Sequence, residues 1–244
     1  TDISPLRHLS RLEALTLALI AVFLPESLTR ERKAELRVSP RSRFSLKLLI
    51  EAVTDPRIGK FLHLRVFTAL AFLVFQTNYA LFAQRRLGYD ARSTGLSLAV
   101  VGLLVAVFQG GLIGPLAKRF DEHRLFAAGA LLSGIGLAAW AFTPSTAWLL
   151  VSLVPMSLGQ GLVTTLNRSL VTKAVDREEI GGTLGLMSSL ESGINILAPL
   201  IGGVLIGSGG SWAPGLLASA LMLWSALFIA RRFPALPRLS PAQG

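Results

Sequence analysis

The stretch GGTLGLMSSLESGINILAPLIGG, residues 181–203, decides the fold, because it is apolar and glycine-rich over the length of a membrane-spanning helix. A spanning α-helix needs about 20 mostly apolar residues, since each residue advances it by about 1.5 Å through a hydrocarbon layer about 30 Å thick. One carboxylate, Glu191, interrupts the stretch. Counted from Glu179 at the edge of the segment, Glu191 lies roughly 18 Å along such a helix, close to the middle of the bilayer.

The composition of the whole chain also indicates a membrane protein. Of its 244 residues, 52% are hydrophobic and 16% are charged, and the mean hydropathy is +0.58, whereas about a quarter of the residues of an average soluble domain are charged. The chain has no cysteine, which excludes a disulfide framework, a thiolate zinc site and a cysteine nucleophile. The net charge of +10 falls in short blocks between long uncharged runs, so it indicates membrane topology and no nucleic-acid partner.

Similar apolar segments lie on both sides of the opening stretch. We predict a partial transmembrane helix in residues 1–25, a basic central cytoplasmic loop in residues 26–60, a transmembrane bundle in residues 61–230 and a cytoplasmic tail in residues 231–244. The apolar segments of the bundle are residues 61–84, 93–117, 125–143, 146–167, 180–207 and 211–230. We expect an all-α membrane protein with five full transmembrane helices plus the partial one, whose short loops make neighbouring helices antiparallel. The partial first helix suggests that the chain is a fragment.

The charges in the loops predict an orientation. If residues 26–60 are cytoplasmic, so are residues 118–124, residues 173–177 and the tail, and these regions together hold most of the 24 Lys and Arg residues. Cytoplasmic loops are enriched in Lys and Arg. We therefore expect the central loop and the C-terminus to face the cytoplasm, with the basic loop at residues 85–92 as an exception on the outer side.

Polar side chains recur at three- and four-residue intervals inside the apolar segments, which places them on common helix faces. Unpaired polar groups are costly in hydrocarbon, so these faces should look toward protein or a water-filled cavity. For the amide side chains, an interhelical hydrogen bond is an equal alternative to contact with a solute. The candidates for a substrate pathway or proton coupling are Glu191, Asn195, Ser188, Gln160, Thr164, Asn167, Arg168, Gln76, Asn78 and Gln109.

Glu191 is the sharpest of these candidates, because a charge at the middle of a bilayer must be protonated, paired or hydrated. Three roles remain open for it: a proton-coupling site, a structural hydrogen bond or salt bridge, and contact with a cationic solute. Arg168 is a candidate partner. Pro199, followed by Gly202 and Gly203, predicts a bend in the same helix, because proline removes a backbone hydrogen bond.

Enzyme motifs are absent from the sequence. The histidines His8, His63 and His123 do not share a helix face with carboxylates at metal-ligand spacing, and no phosphate-binding P-loop occurs. We therefore predict no enzyme activity, no catalytic residues, no metal and no cofactor.

Three stretches carry a resemblance to a known family: residues 14–33, ALTLALIAVFLPESLTRERK; residues 85–120, RRLGYDARSTGLSLAVVGLLVAVFQGGLIGPLAKRF; and residues 177–203, REEIGGTLGLMSSLESGINILAPLIGG. They resemble the C-terminal half of a major facilitator superfamily transporter, most closely the drug:proton antiporters that include the tetracycline efflux proteins. The resemblance implies helices seven to twelve of a twelve-helix inner-membrane carrier, with the solute site at the midplane between two six-helix halves. It also implies an N-terminal half as partner, and a small-molecule solute and protons as ligands.

The resemblance assigns two further motifs. The family's cytoplasmic gating loop falls on Gly114, Lys118, Arg119 and Asp121, with Lys118 where an acidic residue is expected and Asp121 where a glycine is usual. The stretch NILAPLIGG, residues 195–203, is similar to the family's antiporter motif, with Ala198 in place of a glycine. The expected function is proton-coupled efflux of drug-like compounds; the alternatives are an uptake carrier for a sugar or metabolite and a non-transporting truncated membrane protein.

Overall fold

The computed structural model describes residue 55, residues 58–176 and residues 179–232. This part of the chain contains no strand and six helices long and apolar enough to cross a membrane. They are α1 (Gly59–Leu87), α2 (Ala91–Arg119), α3 (Glu122–Ala141), α4 (Thr146–Lys173), α5 (Ile180–Gly209) and α6 (Ala213–Arg232). The predicted all-α membrane fold is confirmed. The predicted partial helix in residues 1–25 and most of the basic loop and tail lie outside the described residues.

The predicted count of five full helices is wrong, because all six apolar segments of the bundle form complete helices. Each segment reaches roughly the 20 residues that a span requires. The last two remain separate because Gly210 follows α5 with a φ of 91°, a left-handed conformation that favours glycine and ends the helix.

Short polar side chains begin three of the helices. Asp90 caps α2 by accepting a hydrogen bond from the Ser93 backbone N–H at 2.8 Å, and this bond holds the pKa of Asp90 below its usual value. Asp121 caps α3 and Ser145 caps α4 in the same way. Such caps satisfy backbone N–H groups that have no partner inside the helix, so the loop sequences themselves set where these spans begin.

Helices α1, α3, α4 and α6 form the packed part of the bundle. Half or more of the most apolar stretch of each is buried, against 17% for α2 and 22% for α5. Trp140 of α3 is fully buried against Phe75 and Phe82 of α1. The two remaining helices lie at the periphery, where α2 packs mainly on α4 and α5 mainly on α1.

Glycines bring the backbones of α3 and α4 together. A Cβ atom on Gly159 would collide with the carbonyl oxygen of Gly129, and one on Gly136 would lie 2.7 Å from the backbone nitrogen of Met156. Close approach of this kind drives helix association in membranes, because lipid provides no hydrophobic drive for it.

We predict that Gly159→Ala destabilises the protein, whereas Gly161→Ala in the same helix does not. At Gly161 the nearest atoms to an added Cβ are side-chain carbons at 3.4 Å, an ordinary van der Waals distance. Overpacking at Gly159 should lower the free energy of unfolding by about 1–3 kcal/mol, and the second change should be neutral or gain up to about 1 kcal/mol of helix propensity. Denaturant unfolding in detergent micelles measures both. Equal effects would contradict the close contact.

Candidate functional site

A cavity of about 230 Å³ lies within the membrane-spanning part of the bundle, between α1, α4 and α5. Six of its nine lining residues are polar or charged, although the helices around it are mostly apolar. The lining residues are Arg65, Ala69, Phe72, Leu73 and Gln76 of α1, Gln160 and Thr164 of α4, and Glu191 and Asn195 of α5.

Helical periodicity brings these side chains to one place. On α1 the other lining residues follow Arg65 by four, seven, eight and eleven positions, and the pairs on α4 and α5 are each four residues apart, so each helix presents a single face. The cavity therefore forms where three polar faces meet, as expected for groups that cannot face lipid without cost.

Arg65 and Glu191 form an ion pair at this cavity. The Nε atom of Arg65 donates to Oε1 of Glu191 at 2.6 Å, and an Nη atom of Arg65 donates to the same oxygen. The Arg65 side chain is 9% exposed and the Glu191 side chain 33% exposed. The pair compensates two charges that would each be expensive in hydrocarbon, and it leaves the carboxylate in contact with the cavity.

The predicted partner of Glu191, Arg168, is wrong. Arg168 is exposed on α4 and does not line the cavity, whereas Arg65 is buried and forms the pair. The physical reason is helix adjacency: α5 packs mainly on α1, so the cation that reaches Glu191 comes from α1.

The amide groups supply hydrogen-bonding capacity. Gln160 donates through Nε2 to the hydroxyl of Thr164 at 3.2 Å, but its buried Oε1 has no partner in the described part of the chain. Gln76 and Asn195 are exposed at the cavity. Each amide has donors and acceptors, so the wall can form hydrogen bonds with a bound molecule as well as contacts with its apolar surface.

The structure brings together half of the sequence-predicted pathway residues. Those at the cavity are Glu191, Asn195, Gln76, Gln160 and Thr164. The others do not line it: Ser188, Asn167, Arg168, Asn78 and Gln109. Asn167 is fully buried in the helix packing, and neither of its amide atoms has a partner among the described residues.

Gly202 is a packing position of α5. A Cβ atom there would overlap the amide of Asn78, which is buried on α1 and donates to the Val74 carbonyl at 2.9 Å. Gly203, in contrast, faces open space. Helix α5 continues through Pro199, and the bend expected there stays a prediction.

Helix α2 contains a π-helical turn at Phe108–Leu112, which includes Gln109. The Gln109 side chain packs against Gly161 of α4, where a Cβ atom would meet it at 3.4 Å. Such turns insert one extra residue into a helix and are frequent at functional sites. Gln109 thus lies at a helix contact outside the cavity.

The loop between α2 and α3 has a structural role that the sequence motif did not indicate. Asp121 caps α3, while Gly114, Lys118 and Arg119 are exposed at the end of α2. At this end Glu122 joins α3 to α4, because its Oε1 accepts hydrogen bonds from Lys173 Nζ at 2.6 Å and from Ser169 Oγ at 3.2 Å. A gating role for the loop remains a prediction.

Sequence reasoning missed Arg65 and the apolar wall formed by Ala69, Phe72 and Leu73. Arg65 lies near the start of an apolar segment, where arginine commonly extends toward the membrane surface. A usable signal existed, since an intramembrane carboxylate calls for an intramembrane cation.

Among residues 58–176 and 179–232, no group of three or more His, Asp or Glu side chains could hold a metal.

Six helices of membrane-spanning length, three of which line a cavity with polar side chains, define a multi-pass helical membrane protein. Residues 64–244 match the sequence model of the Major Facilitator Superfamily. The chain belongs to this superfamily, and the resemblance to tetracycline efflux proteins noted from its motifs is confirmed.

Proteins similar in sequence to this chain occur in bacteria and in mammals. The class C tetracycline resistance protein of Escherichia coli is 29% identical over 123 residues, which cover 50% of this chain and 31% of that protein. Solute carrier family 67 member A1 of Homo sapiens is 30% identical over 183 residues, which cover 74% of this chain and 43% of that protein. The chain thus spans less than half the length of these curated relatives.

A crystal structure of the human organic anion transporter MFSD10 (TETRAN) is similar in fold. The TM-score is 0.59 at 20% sequence identity, and the match covers 78% of this chain and 42% of that one. At this identity the similarity extends to the fold alone.

We predict that Arg65→Gln and Glu191→Gln are coupled in a double-mutant cycle. Each single change leaves one charge without its partner, while the double change removes both, so the coupling energy should be about 1–3 kcal/mol. Denaturant unfolding of the four proteins in detergent measures it.

Arg168→Gln provides the matched control. It removes the arginine that the sequence predicts as the partner of Glu191. Because the structure does not pair the two residues, the change should show no coupling to Glu191→Gln beyond about 0.3–0.5 kcal/mol. Equal coupling for both arginines would contradict the observed pairing.

Proposed function

We propose that the chain is the C-terminal half of a transporter that exports small, partly hydrophobic, drug-like compounds in exchange for protons. Membership in the Major Facilitator Superfamily and the helical fold favour a carrier over an enzyme. The observation that carries the proposal is the polar intramembrane cavity that contains the Arg65–Glu191 pair.

The lining of the cavity suits a solute of mixed polarity. Phe72 and Leu73 offer apolar surface, and the amides of Gln76 and Asn195 offer hydrogen bonds. The charges of Arg65 and Glu191 compensate each other. A pocket of this kind favours compounds that combine apolar rings or chains with a few polar groups, and the similarity to tetracycline resistance proteins supports the same class.

The position of Glu191 supports a role in proton coupling. Its side chain is one-third exposed, lines the cavity and is paired through Oε1 with Arg65, which lines the same cavity. Protonation would neutralise the carboxylate and leave the charge of Arg65 uncompensated, so the two protonation states should favour different arrangements of α1 and α5. Exchange of a proton for a solute at the cavity would then be coupled through this pair.

The partner of this half is proposed to be an N-terminal six-helix half. Large apolar side chains are exposed along α2, at Leu96, Leu103 and Val107, and on one face of α5, at Ile196 and Leu200. An N-terminal half packed on α2 and α5 would cover the side of the bundle on which the cavity opens. Lipid would surround the other helices. The basic loops support an orientation with the central loop and the C-terminus in the cytoplasm, and the similarity to the Escherichia coli tetracycline resistance protein favours a bacterial inner-membrane location.

The test is an accumulation assay on the full-length protein in cells. Expression should lower the steady-state accumulation of labelled tetracycline, and a protonophore should restore it. Glu191→Gln should weaken the coupled export by at least about fivefold, the lower end of typical coupling between sites.

Asp90→Asn is the matched carboxylate control. Asp90 lies outside the cavity at the start of α2, and asparagine is an equally good helix cap, so export should remain at the wild-type level. Higher accumulation of the labelled solute in expressing cells would favour the uptake carrier. Export at the wild-type rate and pH dependence in Glu191→Gln would remove the proton role, and absence of any transport would favour a non-transporting protein.

A further inference from the structure

A second cavity, of about 290 Å³, lies on α6 and shares no lining residue with the first. Its lining residues are Trp224, Leu227, Phe228, Arg231 and Arg232. The first four of these are spaced by three, four and seven positions, so they form one face of the last two turns of α6. This face carries apolar and aromatic groups along the helix and basic groups at its end.

Aromatic contacts with α1 hold the wall of this cavity in place. The imidazole of His63 stacks on Phe228 with ring centroids 4.8 Å apart and lies 4.4 Å from the ring of Phe67. The indole Nε1 of Trp224 donates to Nε2 of His63 at a long distance of 3.5 Å. The cavity therefore has a wall supported by a second helix, and its shape does not depend on α6 alone.

The basic end of the cavity is open to a ligand. Arg231 and Arg232 are exposed, and neither has an acidic partner among the described residues. Guanidinium groups recognise phosphate oxygens with paired N–H donors. Two full positive charges exceed the roughly half negative charge of the α6 C-terminus, so this end of the cavity attracts anions.

We propose that this cavity binds an anionic phospholipid, with the headgroup phosphate at Arg231 and Arg232 and the upper acyl chain along Trp224, Leu227 and Phe228. Trp224 and Arg231 are separated by roughly 10 Å along the helix, so one lipid can contact both ends. Trp224 and Leu227 are 50% and 43% exposed on a membrane-spanning helix and therefore face the bilayer, which favours an occupant with an acyl chain over a soluble anion. Basic clusters at membrane-spanning helix ends attract anionic lipids in this way.

The test measures quenching of Trp224 by lipids with brominated acyl chains in phosphatidylcholine nanodiscs that contain the whole chain. The Trp224 signal is the quenching in the wild type that is lost in Trp224→Phe, which removes the contribution of the other three tryptophans. Brominated phosphatidylglycerol should quench this signal at lower mole fraction than brominated phosphatidylcholine. The preference should be about fivefold for each arginine that contacts the headgroup.

Arg231→Gln/Arg232→Gln should abolish the preference while quenching by phosphatidylcholine persists. The matched control is Arg85→Gln/Arg92→Gln, which removes two exposed arginines from the opposite end of the bundle and should leave the preference unchanged. Equal quenching by the two lipids, or a preference that survives the first double substitution, would overturn the proposal. Loss of the preference on addition of inorganic phosphate would assign the site to a soluble anion and overturn it as well.

Discussion

Helices in a bilayer gain little by burying apolar side chains against one another, because the lipid around them is equally apolar. Their packing therefore depends on close backbone approach and on polar contacts. In this protein the first means operates between α3 and α4, where Gly159 meets Gly129 and Gly136 meets Met156. The close packing of α3 and α4 therefore fixes the position of α4, which contributes Gln160 and Thr164 to the cavity wall.

Helix α5 is held in the bundle mainly by polar contacts. Its buried fraction is small, but it contacts α1 at two points. One is the Arg65–Glu191 ion pair, and the other is the contact between the Asn78 amide and the backbone of Gly202. Breaking an ion pair in a membrane is costly unless a charge is neutralised or hydrated. The attachment of this helix therefore depends on the charge of a group that lies at the cavity, which links packing directly to the chemistry of the site.

The sequence predicts the elements of this fold better than their adjacency. Apolar length located the six segments that form the spans, although five full helices were predicted, and the position of Glu191 within its segment indicated an intramembrane carboxylate. The partner could not be predicted, because Arg65 is 126 residues away in the chain and its proximity depends on how α1 and α5 pack. The stripe of Gln160, Thr164 and Asn167 shows the related limit: periodicity gives a direction around a helix, but not the depth at which neighbouring helices converge. Gln160 and Thr164 reach the cavity, whereas Asn167 lies in the tight packing beyond it.

The two peripheral helices each contain an interruption of regular backbone hydrogen bonding, as does α4 at Pro155 in the packed block. Helix α2 has the π-helical turn at Phe108–Leu112, and α5 contains Pro199 within its length. Both features weaken or remove regular backbone hydrogen bonds, and both occur in helices that the glycine contacts of α3 and α4 do not restrain. In the proposed carrier, the cavity must change its access while the bundle stays folded. The division between a tightly packed block and two less buried helices would meet both requirements, because motion of α2 and α5 would leave the contacts between α3 and α4 intact.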